Sequence, residues 1–216
     1  MPNTENAWVD VSVPLTTGMV HWPGDPAPSF EHIAEIEQGA EVNVTFCRMT
    51  AHTGTHMDAP CHFLAGRAGI DAFPLSVGIG RARVISLPDV AIVSKEDLTS
   101  RNIQPGERIL LRTRNSNQPW HDKDFQTNFV AINAGAAQFL VDSGVPLIGV
   151  DYLSVGAFEG DGSLTHRILL GAGVWIVEGL KLADIADGIY DMVCLPMNIQ
   201  GSDGAPTRVA LRKVEY

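Results

Sequence analysis

Three of the chain's seven histidines and one aspartate fall within eleven residues, HTGTHMDAPCH at positions 52–62. His52, His56, Asp58 and His62 share even parity, with Gly54 and Pro60 between them. Two neutral imidazoles and one carboxylate form the donor set of open zinc, manganese or iron sites, whereas a closed structural zinc normally carries cysteines. A metal held this way lowers the pKa of bound water toward about 7 and polarises a carbonyl oxygen. His52, His56 and Asp58 are therefore candidate metal ligands. His62, four residues beyond Asp58, is a candidate acid/base catalyst, because an unperturbed histidine pKa near 6.5 suits proton delivery to a leaving nitrogen.

The spacing dictates a local shape. His52 and His56 have the i, i+4 separation of a helical zinc motif, but Thr53, Gly54, Thr55 and Pro60 make a helix unfavourable. In an ideal strand four residues span roughly 13 Å, while nitrogens each about 2.0–2.1 Å from one ion lie within about 4 Å of each other. The chain must bend between the histidines, and Gly54 permits the bend. A strand running into a tight turn there converges His52, His56 and Asp58 on one point, with odd-parity Cys61 directed away. The competing reading is a histidine-rich polar loop, which the common register of all four residues around a glycine disfavours.

Several elements must position this stretch. WVDVSVPL alternates like a strand and stops at Pro14, and positions 18–30, with three prolines and two glycines, read as a long loop. Positions 42–50 form a strand leading into the cluster, and 81–87 and 107–113 are further strands flanking a short helix over 94–100. Asn133 is a suitable N-cap for a helix that Gly144 ends, followed by a buried strand in PLIGVD. A helix over 166–170 precedes a strand at 174–178, and MVCLPMNI and PTRVALRKV close the chain as strands. Interleaved strands and helices, with strands in excess, define an α/β class with a mixed sheet. The GAG in LLGAG follows a helix and precedes a strand, the reverse of a dinucleotide-binding order.

Composition narrows the classes. The 216 residues suit one domain over 1–216, with 45% apolar and 19% charged residues as in globular proteins. A formal net charge of −10 disfavours a nucleic-acid partner. Cys47, Cys61 and Cys194 form no CxxC and no even set, which points to a reducing compartment rather than a disulfide framework. No run approaches the length of a membrane span, and MPNTENAWVDVSV has no basic segment before an apolar run, so a cytoplasmic location without membrane contact is expected.

HTGTHMDAPCH resembles the HxGTHxDxPxH signature of the metal-dependent cyclase-like hydrolases, the group containing bacterial kynurenine formamidase and isatin hydrolase. His52, Gly54, Thr55, His56, Asp58, Pro60 and His62 match every specified position. The likeness extends from VDVSVPLTTGMVHWPGDP through GVDYLSVG to HRILLGAGVWIVEGL and GSDGAP. It implies a swivelling β/β/α fold with a barrel-like mixed sheet and outer helices, assembled as homodimers or homotetramers. It also implies one or two Zn2+ ions, or Mn2+, with a second ion held by His166 and Glu178 and bridged by Asp58. Glu178 ends the apolar run GVWIV, where a carboxylate is costly unless paired or metal-bound. The resemblance gives His62 the acid/base role and places the HWPGDP loop by the pocket, where Trp22 either stacks on an aromatic substrate or packs its loop. The implied activity is hydrolysis of an aryl formamide, N-formylkynurenine first, with isatin-type lactam or lactone opening second. A non-catalytic metal-binding protein is the reading from another class, and an intact His62 counts against it. The resemblance also places the glycine-rich turn NIQGSDGAPTR at the pocket side, although it reads mainly as loop geometry, and His21, His32 and His121 read as ordinary surface or packing histidines.

Overall fold

A computed structural model describes residues 7–214. The N-terminal residues 1–6, part of the stretch read for a targeting segment, lie outside the described residues. In chain order the strands are β1 (Val9–Asp10), β2 (Ser29–Ala34), β3 (Val44–Arg48), β4 (His56–Asp58), β5 (Ile79–Leu87), β6 (Arg108–Thr113), β7 (Leu147–Val150), β8 (Trp175–Glu178), β9 (Gly188–Pro196) and β10 (Gly204–Lys213). The α-helices are α1 (Leu75–Gly78), α2 (Lys95–Thr99), α3 (Ala134–Asp142) and α4 (Gly162–Gly171).

The strands close into a seven-membered ring in the order β10-β4-β8-β7-β6-β5-β9, because β9 pairs back onto β10. Strands β5, β6, β7 and β8 run parallel, and the remaining pairings in the ring are antiparallel. This is the mixed, barrel-like α/β sheet expected. β1 extends the same sheet along β10, and β2 and β3 form a separate two-stranded hairpin. Among the described residues no helix is long and apolar enough to cross a membrane.

The parallel strands are apolar on both faces because both faces are covered. One set of their side chains, including Val84, Leu110, Leu147 and Val177, fills the barrel with Met57, Val209 and Leu211. The other set, including Ile85, Ile109, Ile148 and Ile176, packs beneath the helices against Leu98, Leu140 and Leu169. Leu110 and Leu140 are fully buried, so truncating either to alanine costs about 2–5 kcal/mol. A third cluster, with Trp120, Phe129 and Tyr152, supports the rim loops beside the cavity.

Among the boundaries that differ from the sequence reading, three have a clear physical cause. The first strand shrinks to Val9–Asp10 plus a bridge from Ser12 to Leu180, because β10 is occupied by β4 beyond that point. The proline-rich loop ends sooner than its composition suggests, since Ser29–Ala34 pairs with β3. Helix α4 begins at Gly162 rather than 166, so His166 sits inside the helix and does not open it. Asn133 caps α3 as expected, accepting from the Ala136 amide at 2.8 Å.

Candidate metal centre

The bend that the histidine spacing requires occurs at Gly54, whose φ is +65°. A Cβ there would also lie 2.6 Å from Leu15 Cδ2, but it is the left-handed conformation that demands glycine. Thr55 locks the turn by donating from Oγ1 to Gly179 O at 2.6 Å and accepting from the Val13 amide at 2.9 Å. The chain then enters β4, the short strand held between β10 and β8. Alternation along β4 sends His56 and Asp58 to one face and Met57 into the barrel core. In the antiparallel register His56 lies opposite Glu178 and Asp58 opposite Gly204.

His52, His56 and Asp58 form one group whose candidate ligand atoms all lie within 4.8 Å of one another, and Asp58, His166 and Glu178 form a second. His52 Nδ1 is 3.0 Å and His56 Nε2 is 3.5 Å from Asp58 Oδ1. His166 Nε2 is 3.3 Å from Glu178 Oε1 and 3.7 Å from Asp58 Oδ2. His56 Nε2 and Glu178 Oε2, 3.2 Å apart, link the groups. Asp58 belongs to both, the shared position that the family resemblance implied. Cys61 is turned away, its Sγ 3.6 Å from Ser202 O.

The donor chemistry fits a cation. His56 and His166 each engage a backbone carbonyl through Nδ1, Gly54 O at 3.0 Å and Gly162 O at 2.8 Å. A neutral ring in that tautomer turns its Nε2 lone pair toward a carboxylate oxygen, a repulsive arrangement unless a proton or metal lies between. Asp58 and Glu178 are almost completely buried, and no lysine or arginine among the described residues lines the adjoining cavity. Asp58 Oδ2 is buried without a hydrogen-bond partner, an orphan acceptor of the kind that a metal satisfies. Glu178 Oε1 is further fixed by the Val155 amide at 2.6 Å.

In the metal-free protein, protons supply the compensation. Burial favours a neutral His52, but Asp203 and Asp58 outweigh it and raise the ring to about 10. Burial likewise opposes charge on His56, and Asp58 with Glu178 raises it to about 9. Burial alone would raise Asp58, yet His52 and His56 hold it well below the usual carboxylate range. Burial and the Asp58 charge push Glu178 upward, and His166 and His56 reverse this to leave it lowered. His62 behaves differently: burial, only partly opposed by Asp58, keeps its pKa below the ordinary value.

His62 lies at the end of the short 3-10 turn Pro60–His62 and lines the cavity, its ring stacked on His52 with centroids 4.0 Å apart. The cavity, about 550 Å³, opens onto His52, His56, His166 and Glu178, a size that suits a drug-sized ligand. Trp22 lines it and also packs on Phe125 and Phe158, with centroids at 5.2 and 5.4 Å, so lining and packing coexist. Asp203 is the residue that the sequence reading missed: its Oδ2 lies 3.0 Å from His52 Nε2. The resemblance brings its turn to the pocket side, but no local pattern ties position 203 to position 52. His21, His32 and His121 take no part in either donor group.

Known proteins resemble this chain in sequence and fold. A kynurenine formamidase from Bacillus cereus is 34% identical over 207 residues, covering 96% of this chain and 98% of that protein. A solved structure described as a potential metal-dependent hydrolase with cyclase activity superposes with a TM-score of 0.86 at 33% identity, covering 98% of this chain and 100% of the other. Isatin hydrolase A from Labrenzia aggregata has a TM-score of 0.81 at 21% identity, covering 98% and 95%, and shares the fold. The putative cyclase family itself matches residues 9–157, which include His52, His56, Asp58 and His62 but stop short of His166 and Glu178. That match and the near full-length relative together establish that this chain belongs to the putative cyclase family.

Proposed function

We propose that the protein is a metal-dependent amidohydrolase that cleaves the C–N bond of an aryl formamide, with N-formylkynurenine as substrate and kynurenine and formate as products. The observation that carries this reading is the buried pair of donor groups sharing Asp58, with His62 beside them at the cavity. The relationship to kynurenine formamidases supports the choice of formamide. His52, His56 and Asp58 would hold one ion, and Asp58, His166 and Glu178 a second. Zinc is the first choice, and manganese accepts the same donors. When bound, the metal supplies Lewis-acid polarisation of the carbonyl and activation of water.

The chain's own residues supply the remainder. Burial lowers the His62 pKa, which favours the neutral ring that can take a proton on a ring nitrogen from the attacking water. Returning that proton to the aniline nitrogen lets the C–N bond break without expelling an anilide. Trp22 offers an aromatic face for the substrate ring. The fold is read as one domain over 1–216, acting in the cytoplasm as a homodimer or homotetramer.

The test is hydrolysis of N-formylkynurenine by zinc-loaded protein, with a chelated aliquot alongside. Turnover that chelation abolishes and zinc restores is the expected result, with His62→Ala keeping its metal and losing about 10²–10⁴-fold in kcat. No turnover by protein shown to hold its metal would remove the formamide reading. The fold shared with isatin hydrolase makes a lactam or lactone ring the next substrate class to assay.

A further inference from the structure

Asp203 stands outside both donor groups that share Asp58, yet it touches the two histidines of most chemical interest. Its Oδ2 is 3.0 Å from His52 Nε2 and 3.5 Å from His62 Nδ1. The two rings are stacked at an interplanar angle of 26°, so one carboxylate oxygen spans a histidine pair. We propose that Asp203 is a positioning residue for this site. It accepts from Nε2–H of His52, turning that ring's Nδ1 lone pair to the donor group, and it holds His62 by Nδ1–H, leaving Nε2 for proton exchange in the cavity.

The loop around Asp203 is anchored without this side chain. The Ala59 amide donates to Asp203 O at 2.9 Å, and the Ile70 amide to Ser202 O at 2.8 Å. Gly201 N donates to Asp71 Oδ1 at 3.0 Å. Gly204 then pairs opposite Asp58, and a Cβ at Gly204 would come within 2.8 Å of His52 Cε1. The backbone is therefore pressed against the His52 ring, while the carboxylate is left for the histidines. Its one other side-chain contact among the described residues is Ser202 Oγ on Oδ1, at 3.4 Å. None of the hydrogen bonds or ion pairs among the described residues engages His62 Nε2.

A carboxylate behind a ligating imidazole fixes the tautomer and raises ligand basicity, and its loss costs about 10–100-fold in metal affinity or activity. The His62 half of the assignment rests on the hydrolase reading above, whereas the His52 half does not. His52, His62 and Asp203 also have the spacing of a metal-binding trio, and the number of ions bound separates a ligand from a positioner.

The experiment titrates Co2+ into metal-free wild type, Asp203→Ala and Asp203→Asn, following absorbance and counting ions. The same variants, loaded with zinc, are then assayed on N-formylkynurenine. Asp203→Ala should bind as many ions as wild type, with affinity lowered about 10-fold or more and kcat lowered about 10–100-fold. KM should stay within about threefold, as expected when uniform substrate binding is untouched. Asp203→Asn should fall between, because its amide oxygen still accepts from His52. Unchanged affinity and kcat would overturn the proposal, as would loss of a whole ion. A loss of affinity accompanied by a large drop in melting temperature would also overturn it, in favour of a loop anchor. If wild type turned over no formamide, the functional reading would fail, and the cobalt affinities would still decide whether Asp203 holds His52.

Discussion

The two donor groups that share Asp58 are built in contrasting ways. His52, His56 and Asp58 come from one seven-residue stretch folded around Gly54, and His52 is partly exposed to the cavity. Asp58, His166 and Glu178 come from β4, α4 and β8, and all three are buried. The first group is shaped by a turn and steadied from outside by Asp203. The second is shaped by the packing of the barrel, with Glu178 fixed by the Val155 amide and His166 by the Gly162 carbonyl. Local chain geometry thus places one group and tertiary structure places the other, and Asp58 joins them.

If Asp58 serves both groups, Asp58→Asn has the largest effect. It should lose both ions, and activity should fall by about 10³-fold or more, because Lewis-acid stabilisation contributes several kcal/mol. Metal analysis after zinc loading checks this, and retention of either ion in full would separate the groups. Glu178→Gln sharpens the comparison next. It removes charge from the second group while its amide oxygen can still accept from Val155, so one ion should be lost and one kept. The expected loss of activity is about 10–100-fold, and equal loss of both ions would show that the groups cannot act separately.

The smallest effect concerns protons in place of metal. His52 and His56 are raised in the folded, metal-free protein to about 10 and about 9, against about 6.5 unfolded. Their stabilisation is therefore complete below about pH 6.5 and is lost as pH rises through 9–10. Thermal melts of chelated protein should show a falling Tm over that interval. Zinc-loaded protein should show a weaker trend, since the metal takes the place of those protons. Parallel curves for the two preparations would contradict the assignment of both rings to the metal.

The contrast between the groups also explains what the sequence could reveal. The first group was legible because its members are close in the chain and a distance argument forces the bend at Gly54. Glu178 carried a weaker signal, a carboxylate ending an apolar strand, and its partnership with His166 came through family resemblance. Asp203 lies in GSDGAP, a segment of the family likeness, but nothing local marks its role, because its approach to His52 depends on β10 pairing with β4 across 146 positions, Gly204 to Asp58. The strands 81–87 and 107–113 were read well because both faces are buried in β-branched and leucine side chains. Ser29–Ala34 was obscured by the prolines before it, and the start of α4 by Gly162 and Ser163, poor helix formers that tertiary packing overrides.

The most direct test of the central claim, that these residues hold metal, is an anomalous difference map at the zinc edge from crystals of zinc-loaded protein. Density is expected between His52, His56 and Asp58, and between Asp58, His166 and Glu178, with Asp58 touching both. A map without density in either place, with His56 Nε2 still in direct contact with Glu178, would contradict it.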